Sequence, residues 1–344
     1  MFFEIMVSMH TTQVTRLCRL GDLGDPLTEP TVVTGGLLHR MWRLSTTRGD
    51  FAVKQLNAAI MKKPGIHDEY RLSEQVASMM AAHNIPALTA LPNAQGDVFY
   101  TVDQMSLLIY KWIDGATLST AAVDVAHARQ VGAILARMHA LQLELPASAS
   151  LEWGYFDDDD WDVLTFQASE LELPWTHRVR AALPRLLAWT RAYEQAGLSL
   201  GQRVVMSHRD LDQKNVIWSD ETTPWLIDWE AAGLINPTME LMSVALYWSG
   251  IATGPPIEDV FSSLVDGYVE AGGIILDTGM DALHGFMGTW LGWLLFNMRR
   301  SLGESVTSED EQLLGIRETS TTLSILQSLA AHEDKWAALV DARR

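Results

Sequence analysis

Ser207-His208-Arg209-Asp210-Leu211-Asp212-Gln213-Lys214-Asn215-Val216-Ile217-Trp218 runs through the turn formers Ser219 to Pro224 into Trp225-Leu226-Ile227-Asp228-Trp229-Glu230. Two short apolar runs around a polar, proline-bearing loop read as a β-hairpin. Asn215 opens the first strand and Asp228 leaves the second, so pairing the strands brings these two side chains to one end. Asp210 lies five residues before Asn215 in the same loop. Asn215 and Asp228 are hard oxygen donors beside a second carboxyl group, that of Asp210, a set that suits Mg2+ rather than a thiophilic metal.

Upstream, Leu37 to Leu44 and Phe51 to Leu56 are strand candidates joined by the turn-like Thr46-Thr47-Arg48-Gly49-Asp50. On the second strand Lys54 shares a face with Ala52 and Leu56, while Phe51 and Val53 point the other way. Leu72, Val76, Met79 and Met80 recur at helical spacing over residues 66–83, and Asn84-Ile85-Pro86 stops that helix. A further strand, Met105 to Trp112, ends at the turn signal Asp114-Gly115. Beyond it helices dominate: residues 121–141, 178–195, 240–249, 257–271, 280–300 and 308–341. The only β-rich interruption is Val204 to Glu230.

The chain has 344 residues, beyond the usual size of a single core, so two lobes are expected. The boundaries are a β-rich N-terminal lobe over residues 1–109, a hinge at 110–115 and a helical lobe over 116–344. A single cysteine, Cys18, excludes an internal disulfide framework and fits a reducing compartment. Met1 to Met9 lacks the basic region of a signal peptide. The apolar run Phe286 to Met298 contains glycines and ends at Arg299-Arg300, as a buried helix does. A cytoplasmic location is expected. The formal charge of −18, from 43 acidic against 25 basic residues, repels nucleic acid and anionic membranes. No Lys or Arg lies between Arg137 and Arg178, where Asp157 to Asp160 sit among Trp153, Tyr155, Phe156 and Trp161. Such a segment is either a solvated excursion anchored by its aromatics or a rim that attracts cations.

His-x-Asp-x-x-x-x-Asn at 208–215, followed after one hairpin by Ile-Asp-Trp-Glu at 227–230, resembles the aminoglycoside phosphotransferase and choline kinase superfamily, whose members share the protein-kinase fold. The similarity extends in consistent order over roughly residues 31 to 250, with little to compare beyond. It implies an α+β, bilobal protein-kinase-like fold, with a small β-rich N-terminal lobe and a larger, mainly helical C-terminal lobe. It also implies an ATP- and Mg2+-dependent transfer of phosphate to a small-molecule hydroxyl. By this resemblance Asp210 is the catalytic base and His208 braces its loop, while Asn215 and Asp228 hold magnesium. Phe51-Ala52-Val53-Lys54 is similar to the strand that supplies the phosphate-binding lysine. Val33-Thr34-Gly35-Gly36-Leu37-Leu38-His39-Arg40 fits the loop that covers the phosphates, and Lys111-Trp112-Ile113 the hinge that receives adenine through its backbone.

Lys54 then requires a helix glutamate. The spacing to Ile85-Pro86 favours Glu74, whereas Glu69 shares the face of Leu72, Val76 and Met80, and the wheel alone does not settle the choice. Glu230 stands where protein kinases have glycine, as in small-molecule kinases. Glu240, in Asn236-Pro237-Thr238-Met239-Glu240, stands where relatives have Asp. No Ala-Pro-Glu-like segment follows Asp228, which argues against a protein kinase. His139, at a helix end, reads as a cap or core residue, and Trp290 and Trp293 read as core. The expected acceptor is an aminoglycoside or other cationic antibiotic. A choline-like or other metabolite alcohol is the alternative, and a non-catalytic nucleotide-binding regulator the second. Oligomeric state and nucleotide preference stay open.

Overall fold

Trp42, Leu44 and Thr46 are buried at every second position of a strand, and the turn after Thr47-Arg48 folds that strand back on Gly49–Gln55. In the computed structural model, which describes residues 9–33, 39–143, 153–154, 156–304, 306 and 308–344, this pair is the centre of a five-stranded sheet. In chain order its strands are β1 (Thr31–Val33), β2 (Arg40–Thr46), β3 (Gly49–Gln55), β4 (Tyr100–Val102) and β5 (Met105–Lys111). They lie in the order β1-β2-β3-β5-β4, antiparallel throughout. β3 is buried from Phe51 through Lys54 because both sheet faces are covered there. One face carries Phe51 and Val53 against Leu17 and Cys18 of helix α1 (Thr11–Gly21), an amphipathic segment that the sequence reading did not anticipate. The other carries Leu56 and Leu108 against Tyr70 of α2 (Ile66–Ala82). Lys54, paired in register with Leu108, stands on this second face.

Contacts divide the chain into two units, Met1–Leu118 with Lys214–Ala232, and Ser119–Gln213 with Gly233–Arg344. The hairpin Val216–Trp218/Pro224–Leu226 therefore groups with the sheet, although the sequence reading puts it in the segment 116–344. The reason is main-chain pairing. Leu226 N–H donates to the Pro86 carbonyl at 2.8 Å, and Leu88 N–H donates to the Leu226 carbonyl at 2.8 Å. On its other edge the hairpin pairs with β6 (Ala116–Thr117). Gly115 is required there: a Cβ would sit 2.4 Å from the Trp218 carbonyl oxygen.

The second unit is helical: α3 (Val125–Ala140), α4 (Asp158–Glu170), α5 (Thr176–Leu200), α6 (Pro237–Ser249), α7 (Glu258–Glu270), α8 (Gly279–Ser301), α9 (Glu309–Ala331) and α10 (Glu333–Asp341). α3 starts later than the apolar pattern implies because Asp124 caps it, accepting from the Ala126 and His127 N–H groups. α6 starts where Asn236 caps and Pro237 needs no donor. The expected single helix over 308–341 breaks at His332, which no glycine or proline announces. α3 and α7 cross closely through paired glycines: a Cβ on Gly132 would lie 2.0 Å from the Leu264 carbonyl, and one on Gly267 2.1 Å from that of Arg129. A two-stranded pair, Val205–Ser207 with Gly233–Ile235, brackets the loop that begins at His208. Among the described residues no helix is long and apolar enough to cross a membrane.

Candidate active-site residues

In the first unit the hairpin does what its register demands. Ile227 N–H donates to the Asn215 carbonyl at 3.0 Å, which extends the ladder to the strand ends and leaves Asp228 as the next residue. Asp228 adopts a left-handed conformation, φ 61°. Its Oδ1 lies 2.9 Å from Nζ of Lys54, a residue 174 positions earlier, and Glu230 also ion-pairs with that ammonium. The Lys54 side chain is only 10% exposed. Burial pulls its pKa down, but the Asp228 and Glu230 carboxylates outweigh burial and leave it above the ordinary lysine value.

Glu230 is itself held. His39 Nε2 is 3.2 Å from its Oε2, and the Tyr70 hydroxyl lies 3.0 Å from the same ring nitrogen. Burial alone would raise the Glu230 carboxyl, yet His39 and Lys54 bring it down to about 2. With Glu69, Ile60 and Ile66, these three side chains line a cavity of about 200 Å3.

Neither helix glutamate reaches Lys54. Glu74, 4% exposed, accepts from the Tyr110 hydroxyl at 2.5 Å and from the Ala90 N–H at 2.9 Å, and burial raises its pKa. It fastens α2 to β5 and to the chain after the helix. The carboxylates that ion-pair with Lys54 are those of Asp228 and Glu230, while its charge reaches Glu74 only as a lowering influence on that carboxyl. Gly35 and Gly36 lie outside the described residues. Lys111 ends β5, Trp112 gives its N–H to the Asp50 carbonyl at 3.0 Å, and Arg43 stacks over the Trp112 ring at 4.7 Å. Ile113, next along, is half-buried.

In the second unit, His208 is fully buried and Asp210 half-buried. α6 pins the loop at alternate residues. Glu240 Oε1 accepts from the Arg209 N–H at 2.7 Å, Trp248 Nε1–H donates to the Leu211 carbonyl at 3.0 Å, and the Gln213 side chain donates to the Tyr247 carbonyl at 2.7 Å. Glu240, Tyr247 and Trp248 stand at i, i+7 and i+8, one face of the helix. The intervening residues, Asp210 and Asp212, are the half-buried carboxyl groups.

Glu240 is 0% exposed and binds His139 Nε2 at 2.8 Å, while His139 Nδ1 meets the Tyr268 hydroxyl at 3.0 Å. Burial would raise Glu240, but His139, Ser207 and the Arg209 amide keep it below the ordinary range. His139 is thus a core residue that braces the loop through Glu240. Tyr247 lies against Phe286 and Trp290, with ring centroids 5.3 and 5.9 Å away. Burial, then the charges of Asp210 and Asp212, push its phenol well up.

Two aromatic residues of the acidic segment, Phe156 and Trp161, turn inward. Trp161 is fully buried, Phe156 stacks on it at 6.0 Å, and Asp160 pairs with Arg299 at 3.1 Å. Tyr155 lies outside the described residues. Anchorage, rather than an aromatic rim, describes Phe156 and Trp161. Among the described residues no group of three or more His, Cys, Asp or Glu side chains is arranged to hold a metal. Asn215 with Asp228 still fits magnesium, which takes one or two protein carboxylates and completes its shell with water and phosphate.

Tyr70 escapes sequence reading because it belongs to no string with its own signature, and His39 is read only as part of the loop 33–40; the fold brings both to Glu230. Glu240 was legible in Asn236-Pro237-Thr238-Met239-Glu240, but its hydrogen bond to the loop was not.

Residues 29–286 match the model of the phosphotransferase enzyme family, APH. Among curated protein sequences none matches the chain. Solved structures with the same fold include spectinomycin phosphotransferase APH(9)-Ia in complex with ADP and spectinomycin, at 14% identity and a TM-score of 0.69, covering 94% of this chain and 98% of that one. Choline kinase from Cryptosporidium parvum Iowa II aligns at 11% identity and TM-score 0.62, over 97% of this chain and 99% of its own. Amicoumacin kinase hAmiN, solved with AMP-PNP, Ca2+ and Ami, aligns at 14% identity and TM-score 0.63, over 95% and 94%. At these identities the likeness is one of fold: a five-stranded antiparallel sheet followed by a mostly helical region, as in kinases.

Proposed function

We propose, from the premise that the chain belongs to the phosphotransferase enzyme family, that it moves the γ-phosphoryl group of ATP to a hydroxyl of a small cationic acceptor, an aminoglycoside or another amine-bearing antibiotic. The observation that carries the reading is the buried Lys54 ammonium, drawn by its strand to the carboxylate that ends the hairpin, 2.9 Å away. A lysine so placed can exchange a carboxylate for a phosphate, because both are anions that accept its N–H groups. Phosphoryl transfer asks little covalent work of a protein; positioned charge does most of it.

Asn215 and Asp228 would hold Mg2+, which when bound offsets charge on the β- and γ-phosphoryl oxygens. Asp210, left half-buried between two pinned residues, orients the acceptor hydroxyl and takes its proton. The Trp112 amide is already bonded to Asp50, so the main chain of Lys111 and Ile113 receives adenine. The choice of a cationic acceptor rests on the −18 net charge and on Tyr247, an aromatic side chain close enough to feel the charges of Asp210 and Asp212.

A panel of aminoglycosides, other hydroxylated antibiotics and choline-like alcohols, read by release of nucleoside diphosphate, tests the proposal. Activity confined to a neutral sugar or nucleoside would overturn the acceptor class. No diphosphate release with any acceptor would favour a non-catalytic nucleotide binder.

A further inference from the structure

We infer that Glu230, oriented by His39 and Tyr70, is the residue that positions Lys54, having replaced the glutamate of the α2 helix in that role. The inference deepens the phosphotransferase reading and rests on it for its consequence, nucleotide binding, though not for its geometry.

Three observations converge. The first is that both carboxylates on the Lys54 ammonium come from the segment after the hairpin, at Asp228 and Glu230. The second is that Glu74 is already occupied: its two oxygens take the Tyr110 hydroxyl and the Ala90 N–H. Withdrawing it toward Lys54 would strand a buried main-chain donor, a costly loss in the core.

The third is the tautomer of His39. The backbone N–H of Asn57 donates to His39 Nδ1 at 3.1 Å, so Nδ1 presents its lone pair and Nε2 carries the hydrogen. That hydrogen faces Glu230 Oε2, which leaves Oε1 for Lys54. The His39 side chain is 6% exposed, and the Tyr70 hydroxyl borders the same nitrogen. The backbone thus sets the imidazole, the imidazole sets the carboxylate, and the carboxylate sets the lysine. Asp228, the other partner, is the metal-ligating candidate, so Glu230 is the anion that can stay with Lys54 while Asp228 serves magnesium.

The test is acylation of Lys54 in the nucleotide-free, full-length protein, followed by mass spectrometry, together with ATP titrations with and without magnesium. E230Q and H39L are expected to raise the Lys54 labelling rate on the order of tenfold, by freeing an ammonium that a charge-assisted contact held in place. H39Q should recover most of the slow rate, because the glutamine amide nitrogen lies where Nε2 lies and still donates to Glu230. H39L combined with E230Q should label no faster than E230Q alone. ATP should bind more weakly to E230Q and H39L whether or not magnesium is present. Thermal unfolding of each variant separates these effects from loss of fold.

Wild-type labelling rates in E230Q and H39L would overturn the inference. So would an effect of E74Q as large as that of E230Q, or a nucleotide defect seen only with magnesium, which would assign Glu230 to the metal. If the wild-type protein bound no ATP, the phosphotransferase reading would fall, and the labelling rates would still decide which glutamate holds Lys54.

Discussion

Arg209 and Asp228 are non-glycine residues in the left-handed conformation, at φ 65° and 61°, one in each unit. The conformation costs each roughly 1–2 kcal/mol, so something must hold it. Arg209 is held by its main chain: its N–H donates to a carboxylate, Glu240, that is fully buried and bound in turn by His139. Asp228 is held by its side chain, 43% exposed, through a lysine that also has a second carboxylate partner. Both arrangements combine a glutamate with a histidine, yet the two do different work. In the helical unit the glutamate ends on a backbone amide and fixes a loop. In the sheet unit the glutamate ends on a flexible ammonium and leaves it able to change partner. Burial separates a frame from an exchangeable counter-ion.

The largest effect expected is at the residue the frame serves. Asp210→Ala should lower turnover by about 10²- to 10⁴-fold, the usual contribution of a positioned base. Nucleotide affinity and thermal stability should change little, because Glu240 bonds the preceding amide and not Asp210 itself. Wild-type turnover in this variant would remove the reason for pinning the loop and break the comparison at its centre.

Next comes the frame. Glu240→Ala leaves His139 and the Arg209 amide without their acceptor inside the core, and should destabilise the protein by about 3–5 kcal/mol in denaturant titration. Its pH dependence has a definite sign. The folded Glu240 carboxyl lies below its ordinary value, so its stabilisation is complete above the unfolded carboxyl pKa of about 4.3 and is lost as pH falls through the folded value. The stability gap between wild type and Glu240→Gln should therefore narrow as the medium is acidified below about pH 4. A gap that widened on acidification would show that the ion pair is not what Glu240 contributes.

Asp228→Asn should behave in the opposite way. The buried Lys54 keeps Glu230 as its partner when the half-exposed Asp228 is neutralised, so unfolding should move by no more than about 1 kcal/mol. ATP affinity in the presence of magnesium should fall by about tenfold or more, as expected when one of few metal-ligating carboxylates is removed. Loss of stability comparable to Glu240→Ala would erase the distinction between frame and counter-ion.

How far these two networks could be read from the sequence depends on where their hydrogen bonds end. The hairpin and the place of Lys54 on the face of Ala52 and Leu56 follow from strand periodicity, which the side chains report directly. The partner of Lys54 did not follow, because a helical wheel ranks faces and cannot show that the Ala90 N–H and the Tyr110 hydroxyl claim Glu74 first. α1 was missed because its apolar face is brief: Val14, Leu17 and Cys18. The inward turn of Phe156 and Trp161 was open in the sequence, since an aromatic among aspartates can face either solvent or core. The Glu240 network ends on the amide of Arg209, and a main-chain donor has no signature in residue type.

The smallest effect tests the strain itself. Arg209→Gly keeps the N–H that Glu240 accepts while removing the Cβ that makes φ 65° costly. Relief of strain and the greater freedom of glycine in the unfolded chain oppose each other, so stability should change by less than about 1 kcal/mol, with turnover largely retained. Asp228→Gly relieves the same strain but removes the carboxylate, so its stability should change as little while turnover is lost. If Arg209→Gly also abolished turnover, the arginine side chain would be part of the chemistry. The left-handed turn would then serve to aim that side chain as well as to present Asp210.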